Sequence, residues 1–452
     1  MEGVIETLNG VIWSNWLVYL CLGAGAYFTL VTLFLQIRCI PDMITQLKSG
    51  ESSEQGISSF QSLMISLAGR VGVGNIAGVA TAIAFGGPGA VFWMWLVALL
   101  GSATSFIECC LAQIYKETDR DTGEYRGGPA YYIEKTYKHT KAAPFMVVYA
   151  VIFAVCMLLA TSYFLPGIQA NGVASAVNNA WGIDVKISAA VMAVLLGVII
   201  IGGVKRIANF ASMVVPFMAG IYIIVAIIVL FANASDIPHV FGMIFRAAFD
   251  KEAAFSGMLG AAIAWGVRRA VYSTEIGTGS GAQASAAAHV SHPVKQGLAQ
   301  AFSAYVDTLF VCTMTGLMIL ATNSFNVLGP DEESLLAEHV PGVEEGPAWV
   351  QIAIDEALPA FGPSFVAIAV FLFSFTTLLS FAFYAETNVA YLIPNKTAQR
   401  AVIAIARLLL AGSMVFGSVQ SSALVWAFAD FGVGLYTWVN IVALILLSPV
   451  AI

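Results

Sequence analysis

Residues from Ala68 to Gly78 combine glycines and polar side chains in a way that could bind a small polar ligand. They lie in the middle of an apolar segment, 58–85, that is otherwise long enough to cross a bilayer. Four glycines, an arginine and an asparagine interrupt it, and each glycine costs about 1 kcal/mol relative to alanine inside a helix. Lipid cannot satisfy the N–H and C=O groups that a break frees, so a break must be buried in protein or line a polar cavity. We therefore predict a discontinuous helix whose free backbone groups bind a small solute and an ion.

The same glycine-rich run is compatible with two different structures. Gly74-x-x-x-Gly78 could be a close-packing face for a neighbouring helix, which requires an unbroken helix. A glycine-rich run could also be a dinucleotide-binding loop, but such a loop follows a β-strand and belongs to a βαβ unit. The surrounding sequence predicts neither a strand nor such a unit.

A second interrupted segment, 253–288, has the same character, with its break near Ser273 to Gly281. The N-terminal end of a half-helix suits a carboxylate, and unwound carbonyl groups suit Na⁺. Glycines let the backbone approach a ligand closely, here Gly72, Gly74, Gly277 and Gly279. Asn75 could bind Na⁺ through its side-chain oxygen or cap the second half-helix.

Several polar side chains lie deep in apolar sequence, where an ionisable group is a functional candidate by default. We expect Glu108 mainly to accept N–H groups freed by a broken helix. Gln169 could orient a substrate or make an interhelical hydrogen bond. Asp307 could serve an ion site, although we favour its pairing with an arginine. Arginines near the breaks could lie on the cavity or pair with Glu108, Glu275 or Asp307, and the sequence does not fix those pairs; these are Arg70, Arg268 and Arg269.

Adjacent hydroxyls at Thr376 and Thr377 offer oxygen ligands of the type that hard cations prefer. The alternative is a local hydrogen bond from each threonine to the carbonyl four residues earlier, which is common in membrane helices. Next to a broken helix, the sodium interpretation is favoured. Trp265 and Tyr272 could gate access to the site, although aromatic packing is the commoner role.

The composition defines the class of protein to which these residues belong. Of 452 residues, 59% are hydrophobic and only 10% are charged, which excludes a soluble domain of this size. Apolar runs recur along the whole chain and predict an all-α polytopic membrane protein with about eleven transmembrane helices, the first at 11–37. The net charge of −7 without a basic domain argues against a nucleic-acid partner. None of the six cysteines has zinc-site spacing, and no cofactor is expected.

Lysine and arginine in the loops predict the orientation. Thirteen fall on one side of the predicted spans, including Lys48 and Arg120, against three on the other. The first side is therefore cytoplasmic, so the N-terminus lies outside and the C-terminus inside a cell membrane. The loop 323–362 is then external; its acidic side chains, which include Asp331, Glu332 and Glu333, are expected to form a solvated surface.

The spans divide into an extra helix and two sets of five. Residues 1–50 hold the extra N-terminal helix and a cytoplasmic linker, 51–235 the first set and 236–452 the second. The first helix of each set is broken. Because five is odd, the two sets have opposite orientations, which predicts an inverted repeat with its binding site at the two breaks.

Several motifs resemble those of the alanine or glycine:cation symporter family. They are Gly72–Ala80, Gly86–Trp95, Glu124–Pro129, Gly266-Val267-x-Arg269, Ser273–Ser280 and Asp307-Thr308. Thr274 and Ala270 stand where the family pattern has asparagine and glycine. The resemblance covers nearly the whole chain and implies a 5+5 inverted repeat of the leucine-transporter fold behind one extra helix. In that fold, one sodium ion lies between carbonyls of the first broken helix and two hydroxyls of a later helix. The ligands implied here are Ala68, Val71, Phe373, Thr376 and Thr377.

We therefore expect a sodium-coupled symporter that imports small neutral amino acids, alanine and glycine, by alternating access. The expected substrate site comprises Gly72, Val73, Gly74, Asn75, Gln169, Ser273, Thr274, Ile276, Gly277, Thr278 and Gly279. The alternative is proton coupling through Glu108, Glu275 or Asp307. A channel stays an alternative until flux is measured, whereas an intramembrane enzyme is disfavoured because the sequence has no nucleophile elbow or metal-spaced histidine motif.

Overall fold

The computed structural model describes residues 2–47, 53, 55–119, 123–201, 203–251, 255, 257–330 and 334–452. Nearly all of them are helical. Some positions used in the sequence analysis lie outside the described residues. They are the loop charges at Lys48, Arg120 and Asp331–Glu333 and the predicted start of the second interrupted segment at 253.

The first two helices of the N-terminal half are separated by a bend at Trp13 and Ser14. The first apolar span, predicted to begin at residue 11, therefore begins earlier in the structure. In order, the helices of this half are α1 (Glu2–Ile12), α2 (Asn15–Val31), α3 (Leu35–Arg38), α4 (Ile40–Gln46), α5 (Ser59–Arg70), α6 (Ala77–Gly86), α7 (Gly89–Tyr115), α8 (Pro129–Thr136), α9 (Ala143–Leu159), α10 (Pro166–Trp181), α11 (Val185–Ile200) and α12 (Gly203–Ala232).

The C-terminal half continues the same pattern. Its helices are α13 (Ile237–Ala247), α14 (Leu259–Thr274), α15 (Ser280–Ala286), α16 (Pro293–Ala304), α17 (Thr313–Ala321), α18 (Pro347–Ala357), α19 (Gly362–Leu392), α20 (Lys396–Ser418) and α21 (Ser422–Ala451). Two antiparallel hairpins connect helices, β1 (Glu117–Thr118) with β2 (Tyr125–Arg126) and β3 (Asn326–Leu328) with β4 (Leu335–Glu338).

Side-chain caps mark where several of these helices begin. Ser58 accepts a hydrogen bond from the N–H of Gln61, whose side chain in turn accepts from the N–H of Ser58, so α5 starts with a capping box. Asn395 and Ser421 accept from backbone N–H groups in the first turns of α20 and α21. These caps satisfy N–H groups that would otherwise be orphaned.

Eight helices in the described part of the chain are long and apolar enough to cross a membrane. The two interrupted helices and α11 stand where the sequence predicts the remaining three crossings, so the total of eleven stays a prediction. Large apolar side chains face outward; on α12 they include Met213, Phe217, Ile224 and Phe231. Such an outer surface is expected of a protein whose solvent is lipid.

Both predicted interruptions are present. The glycine-rich run predicts a break from Gly69 to Asn75, but the first helix does not yet break at Gly69, because Gly69 and Arg70 still belong to α5. The break spans Val71 to Ile76 and contains a single 3₁₀ turn at Val73–Asn75. An unbroken packing helix through Gly74-x-x-x-Gly78 is therefore wrong.

The second helix is interrupted between α14 and α15, at 275–279. Glu275, Gly277 and Gly279 all have positive φ, at 48°, 73° and 96°. Glycine adopts this conformation without steric cost, whereas glutamate adopts it only at a steric cost. The break is therefore set mainly by the two glycines, while Glu275 must be held by its surroundings.

Two further segments depart from α-helical geometry. Ala160–Phe164 and Tyr305–Cys312 are π-helical, and each joins two α-helices into one longer rod. Widened turns of this kind occur frequently at functional sites. The second one carries Asp307, and α10, which follows the first, carries Gln169.

Candidate functional site

The two interrupted helices meet at the centre of the bundle, where α5 packs on α12, α15 and α19, and α14 packs on α6 and α7. Asn75 occupies the first break with its side chain folded back along the chain. Its Oδ1 accepts a hydrogen bond from the N–H of Gly72 at 2.9 Å, while α6 begins at Ala77 without a side-chain cap. Asn75 therefore stabilises the 3₁₀ turn and does not cap the second half-helix.

A cluster of oxygen atoms lies between the end of α5 and the middle of α19. The Thr377 hydroxyl is 2.9 Å from the carbonyl oxygen of Ala68, 3.4 Å from that of Val71 and 2.9 Å from that of Phe373. Thr377 is almost fully buried. The structure thus brings together four of the five sodium ligands that the resemblance implies, on two helices more than 300 residues apart in sequence.

The fifth implied ligand, Thr376, makes a different set of contacts. Its hydroxyl donates to the carbonyl oxygens of Leu372 at 3.1 Å and Phe373 at 3.0 Å. These are the local hydrogen bonds that threonines commonly make in membrane helices. Thr376 shares only the Phe373 carbonyl with the cluster.

Neighbouring side chains lie very close to the glycine backbone at the first break, so the space there is small. A Cβ atom on Gly72 would lie 2.6 Å from the Thr377 hydroxyl oxygen and 3.1 Å from Oε1 of Gln169. A Cβ on Gly74 would lie 2.9 Å from the ring of Tyr272. Only a glycine allows the neighbouring groups to approach the backbone this closely, so the break is shaped for a small ligand or ion.

Gln169 connects the first break to the second interrupted helix. Its Oε1 accepts from the N–H of Val73 at 3.0 Å, and its Nε2 donates to the Tyr272 hydroxyl at 3.2 Å. Gln169 is therefore an interhelical hydrogen-bonding residue that also borders the glycines of the break. Tyr272 packs edge-on against Trp426 with ring centroids 5.0 Å apart.

Asp307 lies between the two interrupted helices and has neutral partners. Its carboxylate accepts from Asn75 Nδ2 at 2.7 Å, from the Ser273 hydroxyl at 3.0 Å and from the Thr308 hydroxyl at 2.7 Å. The predicted pairing of Asp307 with an arginine is therefore wrong in the described part of the chain. Asp307 instead links the unwound turn to the helix that leads into the second break.

The predicted substrate residues of the second break do not all face the first one. Ser273 does, through Asp307 and through the approach of its Cα to Gly74. Thr274 donates to the carbonyl oxygen of Ala270 within its own helix. The remaining residues contact other helices or their own turn. Ile276 lies against Gly101, Gly277 lies against Ile441 and Thr104, and Gly279 lies against Pro129 and Phe153. The Thr278 hydroxyl contacts the carbonyl oxygen of Glu275 and the hydroxyl of Ser280.

Glu108 is buried beside the second break. Its Oε2 accepts from the N–H of Gly277 at 3.3 Å, and its Oε1 accepts from Asn440 Nδ2 at 3.0 Å. Asn440 also donates to the carbonyl oxygen of Gly277 at 2.9 Å. Together the two side chains satisfy backbone groups that the interruption frees.

The sequence leaves the partners of the arginines near the breaks open, and the structure gives contacts for each of them, while Arg268 also lines a cavity. Arg269 forms a buried ion pair with Asp430, and Arg268 lies 3.9 Å from the same carboxylate. Arg70 hydrogen-bonds to the hydroxyls of Ser303 and Ser105. Asp430 was missed, although an acid within an apolar span is the same signal that singled out Glu108.

We call the side of the bundle that carries the loop 323–362 the outer side. A cavity of about 270 Å³ on this side extends from Val73 to the segment 342–348. We call this cavity the access cavity. Trp426 lines it, and the Arg269–Asp430 pair and the Tyr272–Trp426 contact lie beside it.

The opposite, inner side is closed by backbone and side-chain contacts. The N–H of Ile57 donates to the carbonyl oxygen of Ala287 at 3.1 Å, and the N–H of His289 donates to the carbonyl oxygen of Ile57 at 2.8 Å. Lys116 Nζ donates to the carbonyl oxygen of Ala288 at 2.6 Å and lies 4.1 Å from the centre of the Tyr125 ring. Burial lowers the pKa of Lys116 to about 8.

Comparisons with known proteins match the chain over its full length. The model of the sodium:alanine symporter family covers residues 1–452. The chain is 49% identical over 452 residues to the putative sodium/proton-dependent alanine carrier protein YrbD of Bacillus subtilis, covering all of this chain and 91% of that protein. It is 40% identical to the probable sodium/glutamine symporter GlnT of the same organism, covering all of this chain and 88% of that protein.

The fold also matches solved structures. MhsT in complex with L-phenylalanine aligns with a TM-score of 0.58 at 16% identity, covering 88% of this chain and 98% of that one. At this identity the likeness establishes the fold alone. It is the leucine-transporter fold that the sequence motifs imply.

Proposed function

We propose that this chain, which belongs to the sodium:alanine symporter family, imports alanine and glycine together with Na⁺. It is a multi-pass membrane transporter of amino acids and not an enzyme. The choice of coupling ion and the inclusion of glycine are parts of our proposal.

The observation that carries sodium coupling is the oxygen cluster around Thr377. A hydroxyl and three carbonyl oxygens of the described residues converge there. Weakly charged oxygen ligands suit a monovalent hard cation that must also leave again. The membrane potential contributes about 2.3 kcal/mol per charge per 100 mV, so one Na⁺ moving inward can drive substantial accumulation of alanine.

The small size of the first break supports alanine and glycine as substrates. In our proposal the substrate carboxylate binds the backbone at Gly72 and Gly74, and the ammonium group lies on the Ser273 side. Gln169 orients the substrate, and Tyr272 covers it. Because Gly72 and Gly74 leave so little room, each added methylene group is expected to cost affinity.

The transport cycle that we propose is alternating access. We propose that the outer side, with the Arg269–Asp430 pair, and the inner side, with the Ile57–Ala288 contact, open in turn as the predicted repeats 51–235 and 236–452 rock against one another. The predicted orientation places the N-terminus outside and the C-terminus in the cytoplasm of the cell.

Proton coupling is the second candidate. Glu108, Glu275 and Asp307 are buried acids close to the breaks, and YrbD is described as a sodium/proton-dependent carrier. An acid that carried protons would have to change partners during transport. Glu108 and Asp307 are held by several donors, which favours a structural role for both.

Alanine uptake into proteoliposomes distinguishes the two candidates. An inward sodium gradient at equal pH on both sides should drive accumulation, with the potential clamped by potassium and valinomycin. A sodium ionophore should abolish the accumulation, and a proton ionophore should not. Accumulation driven by a pH gradient alone, in sodium-free buffer, would contradict sodium coupling and favour the proton mechanism.

The inner closure should make transport depend on pH through Lys116. Because its pKa is about 8, the side chain is charged below that pH and neutral above it. Raising the internal pH from about 7 to about 9 removes the charge, which weakens its contacts with the Ala288 carbonyl and the Tyr125 ring by about 0.5–2 kcal/mol. We expect faster alanine exchange at the higher pH if opening of the inner side limits the rate.

The Lys116→Met variant should lose this pH response. Lys138→Met is a matched control, because Lys138 is exposed on the same side of the protein. Exchange measured from pH 7 to pH 9 in both variants decides whether Lys116 is the origin of the pH response. An unchanged pH response in Lys116→Met would exclude Lys116 as its origin.

A further inference from the structure

Helix α13 (Ile237–Ala247) lies on the outer side and stands between α12 and the second interrupted helix in the chain. Its last residue, Ala247, lies against Gly89 at the start of α7, and the nearby Gly87 lies against Val327 in the loop 323–362. The 30 residues of α12 extend over about 45 Å, whereas the hydrocarbon core of a bilayer is about 30 Å thick. The length of α12 is therefore sufficient to bring the start of α13 to the outer boundary of the membrane.

The side chains of α13 fall into faces of different character. Val240, Ile244 and Ala247 are buried, and the helix packs on α7 and α17. His239 and Arg246, by contrast, are exposed, and polar side chains of this kind are costly in the hydrocarbon core. The 11 residues of α13 extend over only about 16 Å, which is too short to cross that core. The helix therefore lies against the bundle at the membrane surface and does not cross the lipid.

A third face of α13 is aromatic and exposed. Phe241 and Phe245 on the helix and Phe249 just beyond its end follow one another at intervals of four residues, and they are 37%, 47% and 48% exposed. The ring of Phe92 on α7 lies 5.6 Å from that of Phe245 and 5.1 Å from that of Phe249, between centroids. Trp95 on the same helix lies 6.0 Å from Phe241. We call these five residues the aromatic patch.

The aromatic patch continues the outward-facing apolar surface of α12. Phe231, near the C-terminal end of α12, is 77% exposed and comes shortly before α13 in the chain. Burying a phenylalanine side chain is worth about 1.5–3 kcal/mol, so several exposed rings in contact mark an interaction surface. Aromatic rings beside polar residues are typical of helices that lie at the level of the lipid headgroups. These observations favour lipid as the partner of the aromatic patch.

A short helix stands in the equivalent place before the first interrupted helix. Helix α4 precedes α5 as α13 precedes α14, and α4 packs on α16 as α13 packs on α7. In the predicted inverted repeat, α7 and α16 are the second helices of the two sets. Met43 of α4 is buried, whereas Ile44 is 45% exposed. The predicted repeat would place one such helix at each surface of the membrane, which supports a shared role in lipid contact.

We propose that the aromatic patch binds phospholipids of the leaflet on the outer side, at the level where headgroups meet acyl chains. Helix α13 thereby anchors the start of the second interrupted helix in that leaflet. The partner is lipid and not a transported solute, so the proposal goes beyond alanine transport and is independent of the coupling ion. A Cβ atom on Gly89 would lie 2.6 Å from the main chain of Ala247. The anchor is therefore held closely to α7, which packs on both interrupted helices.

Photo-crosslinking in proteoliposomes of phosphatidylethanolamine and phosphatidylglycerol tests the proposal. In the whole chain, Phe245 is replaced by the photoreactive analogue benzoylphenylalanine, which keeps an aromatic ring at this position. Irradiation should attach phospholipid to the protein, and mass spectrometry of the intact chain measures the yield. The same replacement of Phe217, which is 63% exposed on α12, should give a comparable yield. Replacement of His239, on the polar face of α13, should give little lipid adduct.

A second measurement asks whether the aromatic patch itself holds α13 at the lipid. With benzoylphenylalanine in place of Phe249, the combination of Phe241→Ser and Phe245→Ser should remove most of the lipid adduct. The buried face of α13 is unchanged in this double variant, and thermal unfolding checks that its fold is retained. His239→Ala is the matched control on the same helix and should keep the adduct.

Three other results would overturn the proposal. Cross-linking of position 245 to a second chain, seen as a dimer on denaturing gels, would show that the aromatic patch is a contact between copies of the protein. A lipid yield at position 245 as low as that at position 239 would show that the patch faces water. An undiminished adduct at position 249 in the double variant would show that packing alone places α13 at the membrane, and would remove the anchoring role of the patch.

Discussion

Replacing Thr377 by valine should sharply weaken sodium-dependent alanine binding. Valine has the shape of threonine but lacks the hydroxyl that lies 2.9 Å from the carbonyl oxygens of both Ala68 and Phe373. A cation at this position would lose one oxygen ligand and face a methyl group. Loss of a charge-assisted contact costs about 1.5–3 kcal/mol, so sodium affinity should fall by about ten- to a hundredfold or more. Alanine binding titrated with sodium measures this shift.

Thr387→Val provides the matched control. Thr387 is buried on the same helix and makes only the local hydrogen bond, from its hydroxyl to the carbonyl oxygen of Phe383 at 3.0 Å. Thr377→Val and Thr387→Val therefore lose the same hydrogen bond within α19, and they differ only in the contact with α5. Equal sodium dependence in the two variants and the wild type would contradict a sodium site at Thr377.

Replacing Gly72 by alanine should strongly reduce alanine uptake. The backbone at Gly72 is extended, with φ of −132° and ψ of −156°, so an alanine is not excluded by its dihedral angles. The added methyl group would nevertheless lie 2.6 Å from the Thr377 hydroxyl and 3.1 Å from Oε1 of Gln169. It would displace a proposed sodium ligand and fill the space where we propose that the substrate carboxylate binds. We expect uptake to fall by about five- to a hundred-and-fiftyfold, since overpacking a buried site costs about 1–3 kcal/mol.

Gly220→Ala is the control for this change. A Cβ at Gly220, on α12, would meet no atom within 4 Å, and alanine is the better helix former. Its uptake should equal that of the wild type. Wild-type sodium affinity together with wild-type alanine uptake in Gly72→Ala would overturn the proposed position of both ligands. Thermal unfolding of both variants with and without sodium separates a loss of binding from a loss of fold.

Local chemistry made much of this architecture predictable from the sequence. Glycine-rich interruptions inside apolar segments predict broken helices because lipid cannot satisfy free backbone groups. The same argument led to Glu108, which accepts from the N–H of Gly277. The exact start of the first break was not predictable, because packing against α19 keeps Gly69 and Arg70 helical despite the low propensity of glycine.

Contacts between distant parts of the chain could not be predicted in this way. Arg269 and Asp430 are 161 residues apart, and nothing local to either one indicates the other. Asn75 had two reasonable roles in the sequence, yet its side chain folds back onto Gly72 because Asp307, on another helix, accepts from its Nδ2. Contacts with other helices decide between side-chain roles that the local sequence leaves equally plausible.

The parallel pairing of Ile57 with the end of α15 has a consequence for mutational scanning. Two main-chain hydrogen bonds hold the start of one interrupted helix to the end of the other. Alanine substitutions leave such bonds intact, so a scan of side chains would underestimate what keeps the inner side shut. Proline at position 57 removes the amide hydrogen itself. A library that includes proline would therefore detect the contribution of these main-chain hydrogen bonds, whereas an alanine library would not.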